Sequence, residues 1–303
     1  MTSFIQNTDF FAGNNPEEIA SEYGTPVYVY NEKILRDRMS KVAKVITKYP
    51  YTANYSVKAN TNIHILKLAL EEGLNCDAMS VGEITLLMKA GFPVERIFFV
   101  PNNVAPYELA FALKNGVMTS LDSLSQLELF GEVCNQMKIE PEKRKCAVRI
   151  NPGVGAGHCE KVVTGGKKTK FGIAEYSIPQ IFEIAEKYQI TIAGINQHIG
   201  SLFMDPQPYL DAVTNLLRIA HQFKNLEFID FGGGYGIPYH KLDDEKDFPM
   251  EDFKSRLEPI LDEFVASYGK APLFKSEPGR FCVAEGSVIL GRVHATKENS
   301  GIQ

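Results

Sequence analysis

Four short stretches of this chain combine residue types able to do chemistry with the flexible backbone that chemistry needs. Lys58 lies in Tyr55-Ser-Val-Lys-Ala-Asn60, directly after an apolar, β-prone run. A lysine there is either a solvated surface charge or, where a low dielectric or a cationic neighbour favours the neutral amine, a nucleophile that forms a Schiff base with a carbonyl cofactor. Gly232-Gly-Gly-Tyr-Gly236 follows the run Phe228-Ile-Asp-Phe231. Its glycines allow consecutive backbone N–H groups to converge on a phosphate, although a tight turn reads the same way. The spacing is neither that of a Walker loop nor that of a dinucleotide fingerprint. Glu277-Pro-Gly-Arg280 offers a carboxylate able to pair with a ring N–H and a guanidinium able to fork onto a carboxylate, or else a salt-bridged turn. His198-Ile-Gly-Ser201 offers a flat imidazole and a hydroxyl, in a motif where a structural histidine would look identical.

What separates these readings is convergence, which depends on the elements that carry the residues. From residue 50 onward, β-prone runs alternate with amphipathic stretches of helical length, the order that builds a parallel sheet covered by helices. Strands are predicted near Tyr51 to Val57, Asn75 to Met79, Arg96 to Val100, Val117 to Leu121, Lys145 to Ile150, Thr191 to Gln197, Leu226 to Phe231 and Leu273 to Ser276. Helical periodicity is clear over Ile63 to Glu72 and over Glu251 to Tyr268. Eight strand-helix pairs in a chain of 303 residues predict an α/β fold, a (β/α)8 TIM barrel. Gly and Pro cluster just after the strands, at Asn151-Pro-Gly-Val-Gly155, Gly232 to Gly236 and Glu277 to Arg280, on the rim where such barrels place their active sites. Lys58, His198, the glycines and Glu277 all fall on that rim. The glycine turn after the seventh strand coincides with the usual barrel phosphate site.

Two further strands lie outside the barrel pattern, in residues 25 to 33 and 287 to 296. They are expected to need a sheet partner that this chain hardly supplies. The domain expectation is therefore an N-terminal segment over 1–34 with a strand belonging to a β domain, a barrel over 35–285, and the start of a C-terminal β domain over 286–303.

The set Tyr55-Ser-Val-Lys-Ala-Asn60, Arg149-Ile-Asn-Pro152, Lys170-Phe-Gly-Ile173, His198-Ile-Gly-Ser201, Asp230-Phe-Gly-Gly-Gly234 and Glu277-Pro-Gly-Arg280 resembles the fold-type III decarboxylases that depend on pyridoxal 5'-phosphate. The resemblance spans nearly the whole chain in order. Val57-Lys-Ala-Asn60, His198-Ile-Gly-Ser201 and Gly232-Gly-Gly-Tyr-Gly-Ile-Pro-Tyr239 are more similar to the branch acting on diaminopimelate than to the branch acting on ornithine. The resemblance implies that Lys58 carries the cofactor on its amine, that His198 stacks on its ring, and that Glu277 keeps the pyridine nitrogen protonated. It also implies that Ser201, Gly233, Gly234 and the Gly279-Arg280 backbone bind phosphate, and that Asp77 and Arg149 brace the ring. Arg280 is similar to the family residue that also grips a substrate carboxylate.

The implied reaction is decarboxylation of meso-2,6-diaminopimelate to L-lysine, in a homodimer whose active sites lie at the subunit interface. Family members continue into a β domain whose cysteine protonates Cα across that interface; the chain is expected to lack those positions, and neither Cys282 nor Cys159 fits the cysteine's motif. Two other readings share the barrel motifs. One is a related decarboxylase of another carboxylated amine in siderophore or antibiotic synthesis, distinguished by that domain and by the loop from Gly153 to Gly172. The other is a pyridoxal-phosphate homeostasis barrel, against which a carboxylate at Glu277 and the two outlying strands both speak.

Composition bounds the rest. A net charge of -5, with 23% charged and 44% hydrophobic residues, argues against nucleic acid or an anionic membrane as the main partner. No run approaches the roughly 18 apolar residues of a membrane helix, and the start, Met1-Thr-Ser-Phe-Ile-Gln-Asn7, has no signal-peptide blocks, so a cytoplasmic protein is expected. The five cysteines show neither a disulfide framework nor a zinc pattern, so reduced thiols and no metal are expected.

Overall fold

A computed structural model describes residues 9–153, 166, 169–239 and 246–301 of the chain. Strand β1, Val27–Tyr30, precedes the barrel. The barrel strands are β2 (Tyr51–Ser56), β3 (Asn75–Ala78), β4 (Ile97–Phe99), β5 (Met118–Leu121), β6 (Lys145–Asn151), β8 (Thr191–Asn196), β9 (Phe228–Asp230) and β10 (Leu273–Ser276). All their pairings are parallel, and β10 pairs with β2, closing the cylinder. A two-residue strand β7, Ile173–Ala174, pairs outside this ring with the end of β6; it is too short for periodicity to signal.

Each barrel strand turns its two faces to different neighbours. On β4, Ile97 and Phe99 pack outward into the main core with the helices, whereas Phe98 packs with Val100, Ala147, Ala193 and Phe228 in a separate cluster inside the cylinder. Several helices start at side-chain caps: Asn31 accepts from Ile34 N–H, Asn62 from His64, Ser80 from Glu83 and Ser123 from Gln126. The two helices anticipated from periodicity span Ile63–Glu71 and Met250–Tyr268, the second with Phe253, Leu257, Leu261 and Phe264 buried.

The outlying strands correct one expectation. β1 pairs antiparallel with β11, Ser287–Leu290, in the register Val27↔Leu290 to Tyr30↔Ser287, so each supplies the other's partner. The physical reason is barrel closure, which returns the end of the chain beside its beginning. The predicted strand to residue 296 also stops at Leu290. Tyr28 and Ile289, opposite one another, remain exposed.

Candidate active site

The C-terminal ends of the barrel strands enclose a cavity of about 520 Å³. Lys58, His198, Ser201, Gly234, Glu277, Gly279 and Arg280 line it, with Asn60 and Tyr235 among their neighbours. Lys58 sits in a single 3-10 turn, Val57–Ala59, that continues β2, and its Nζ lies 3.9 Å from Met79 Sδ at the end of β3. Asn60, which closes that turn, donates to the Tyr30 hydroxyl at 3.1 Å and so ties the lysine loop to the β1–β11 ribbon. A separate cleft of about 330 Å³, between Lys44–Lys48 and the helix Met250–Tyr268, lies at solvent and carries none of these strand ends.

The glycine turn and the strand β10 terminus are pressed together. A Cβ on Gly233 would overlap the Glu277 carbonyl oxygen, and one on Gly234 would overlap the Gly200 carbonyl. Glu277 N–H donates to Gly232 O at 2.9 Å, and Gly233 N–H donates to His198 Nδ1 at 3.2 Å. That last bond requires Nδ1 to be unprotonated, which places the proton of a neutral imidazole on Nε2. Burial and the Lys58 and Arg149 cations hold the His198 pKa well below the ordinary value, consistent with that neutral form.

Beneath the cavity several buried charges act on one another. Glu277 is 3% exposed, and its Oε1 has no hydrogen-bond partner among the described residues. Burial raises its pKa most, the nearby Asp230 adds to this, and Lys58, Arg149 and Lys275 oppose it. Asp77, fully buried on β3, is raised by burial and by Glu277, and lowered by Lys58 and the Ser56 hydroxyl. Arg149 on β6 is buried with its guanidinium 4.7 Å above the centre of the Phe171 ring. Asp77, Arg149 and Gly233 are not on the cavity wall; they stand behind it. Arg280 donates from Nη1 to the Tyr239 hydroxyl at 2.6 Å and approaches Ser201 Oγ from Nε at 3.5 Å. Cys282 is buried at the foot of this turn, and Cys159 lies outside the described residues, as does most of the loop between Gly153 and Gly172.

Sequence reasoning passed over three polar residues inside the barrel. Asp230 accepts from Gly232 N–H at 2.9 Å and from Asn54 Nδ2 at 3.1 Å, and Lys275 lies in register with it on the neighbouring strand. The one available signal was a charge at an inward position of an otherwise apolar strand, Leu273-Phe-Lys-Ser276.

Two features of this site test its fit to pyridoxal phosphate: an acidic atom without a partner at the cavity wall, and a glycine cradle that no side chain could share. Both fit. A barrel with a lysine, a carboxylate and a glycine turn on one rim defines the class of pyridoxal-phosphate barrel decarboxylases. Residues 32–284 match the family described as "Pyridoxal-dependent decarboxylase, pyridoxal binding domain". The chain is 38% identical over 295 residues to the diaminopimelate decarboxylase of Methanothermobacter thermautotrophicus, covering 95% of itself and 67% of that protein. It is 31% identical to that of Staphylococcus aureus, covering 94% of itself and 68% of the relative. The crystal structure of Helicobacter pylori diaminopimelate decarboxylase complexed with L-lysine superposes with a TM-score of 0.83 at 27% identity, over 91% of this chain and 68% of that one. The chain therefore belongs to the pyridoxal-dependent decarboxylases and, within them, to the diaminopimelate decarboxylase group. Pyridoxal 5'-phosphate is the cofactor of that family.

Proposed function

We propose that this chain decarboxylates meso-2,6-diaminopimelate to L-lysine and CO2, using the cavity at the rim of its barrel. The observation that carries the reading is the convergence of Lys58, His198, Gly234, Glu277 and Arg280 around one cavity, with Gly233 packed behind it and Glu277 Oε1 without a partner among the described residues. In this reading Lys58 holds the cofactor through its amine, and Ser201, Gly233, Gly234, Gly279 and Arg280 hold its phosphate. When bound, pyridoxal phosphate supplies an electron sink for the pair left at Cα as CO2 departs.

The chain's own residues prepare that step. Glu277 faces the cavity, and with the cofactor bound its carboxylate would accept from the ring nitrogen and keep a proton there. His198, neutral and oriented by Gly233, offers an apolar ring face without adding a competing charge. Asp77 and Arg149 set the field behind Glu277. Arg280 has five N–H donors, and those not engaged with Tyr239 and Ser201 are offered to a substrate carboxylate. The domain division belongs to the same proposal: a barrel over 35–285, with residues 1–34 and 286–303 contributing to a β domain. So does a homodimer whose partner completes the cavity wall. Cys76, Cys134, Cys146 and Cys282 are free and buried, which suits a reducing, cytoplasmic setting.

Borohydride reduction of protein incubated with pyridoxal phosphate, followed by peptide mapping, should place the pyridoxyl group on Lys58. Lysine formation from meso-2,6-diaminopimelate should vanish in Lys58→Ala. A label on another lysine, or turnover surviving the substitution, would end the assignment.

A further inference from the structure

The floor of the barrel carries a cation that the functions assigned above leave unused. Lys275 stands two residues before Glu277 on β10, so both side chains point into the cylinder, Lys275 about 6–7 Å deeper along the strand. It is 9% exposed and lies in register with Asp230 on β9. Its Nζ sits 3.8 Å from the centre of the Phe228 ring and 5.0 Å from that of Phe98, two rings that meet edge to face at 5.3 Å. Gly194, the register partner of Phe228, makes this arrangement possible, because a Cβ there would overlap the Phe228 ring.

Ring faces attract an ammonium without neutralising it. A buried lysine nonetheless needs a counter-charge. The acids facing Lys275 are Asp230, Glu277 and, at the foot of β9, Glu227. Asp230 has two neutral donors, Gly232 N–H and Asn54, which satisfy its oxygens and leave its charge uncompensated. Glu277 in turn is faced by Asp230 from β9, Lys58 from the turn after β2, Arg149 from β6 and Lys275 on its own strand, while Asp77 looks in from β3.

Building on the cofactor reading above, we propose that Lys275 is a positioning residue. Its ammonium, clamped between Phe228 and Phe98, is the counter-charge to Asp230 and so favours the carboxylate form of Glu277, the form open to a heterocyclic N–H in the cavity. Without it, two buried carboxylates face one another as like charges, and Glu277 holds its proton to higher pH. A protonated Glu277 would turn a donor toward a ring nitrogen instead of an acceptor.

The test uses the cofactor-free protein, so its outcome is independent of where pyridoxal phosphate attaches; the Lys58 labelling experiment decides that question separately. The infrared carboxylic-acid band of Glu277, assigned by difference against Glu277→Gln, is followed with pH in the parent, Lys275→Met, Lys275→Arg and the Asp230→Asn/Lys275→Met double variant. Lys275→Met should raise the midpoint by about one pH unit or more, a roughly tenfold gain in proton affinity. Lys275→Arg should titrate with the parent, and the double variant, which buries neither charge, should return toward it. An unmoved midpoint in Lys275→Met overturns the proposal, as does an equal displacement in Lys275→Arg or in the double variant. Should Lys275→Met fail to fold, a folded double variant titrating with the parent supports the pairing, and one that also fails to fold refutes it.

Discussion

Gly233→Ala tests whether the glycine cradle and the Glu277 carboxylate are one mechanical unit. The added methyl meets the carbonyl oxygen and carbon of Glu277, which are backbone atoms and cannot swing aside. The turn after β9 and the end of β10 must then separate, loosening Glu277 N–H to Gly232 O and Gly233 N–H to His198 Nδ1. Overpacking costs about 1–3 kcal/mol, and each weakened hydrogen bond about 0.5–1.5 kcal/mol. The total is about 2–6 kcal/mol, or roughly 3–9 °C in Tm for a chain of this size. Because the displaced groups are those around the cavity, a shift of about 1 Å should also lower turnover on the order of a hundredfold. Gly269→Ala is the control: its φ is +83°, and a Cβ there meets nothing within 4 Å. It should cost only the backbone strain of about 1–2 kcal/mol and leave cofactor affinity intact. Thermal unfolding by circular dichroism and titration of the bound cofactor's visible absorbance read both quantities. A Gly233→Ala protein that binds pyridoxal phosphate as the parent does, and melts no lower than Gly269→Ala, would refute the argument.

Two further outcomes follow from the buried charges. Glu277→Gln should retain cofactor and lose turnover. Without cofactor it should also stabilise the fold as pH rises above 4.5, because the buried carboxyl of the cofactor-free parent holds a proton that the unfolded chain releases from that pH upward, so native stability falls with rising pH; melting curves of the two cofactor-free proteins that stay parallel from acid to neutral pH would contradict this. His198 runs the other way: its folded pKa lies below the ordinary 6.5, so the unfolded chain takes up a proton first and stability is lost as pH falls from there. His198→Asn should flatten that acid limb, and an acid limb as steep as the parent's would remove His198 as its cause.

The barrel was legible because its evidence is local. Each of the eight strands announces itself as a short β-prone run followed by Gly, Pro or a helical period, and barrel closure follows from their number and order. The rim residues were legible for the same reason: Lys58, His198, Gly233, Gly234 and Glu277 each directly follow a strand, and a parallel barrel brings all such positions to one end. What tertiary structure alone decided are relations between residues distant in sequence. Nothing local pairs Val27 with Leu290; closing the cylinder does, and it turned two strands expected to be orphans into one ribbon. Nothing near Gly233 announces that its missing side chain would strike Glu277, because that contact is made by two strand ends more than forty residues apart. Lys275 reads in sequence as one charge in an apolar strand. Only the register with Asp230 and the two aromatic faces make it a buried cation, since burial and Coulomb interaction depend on distance in space, which periodicity along a chain does not encode.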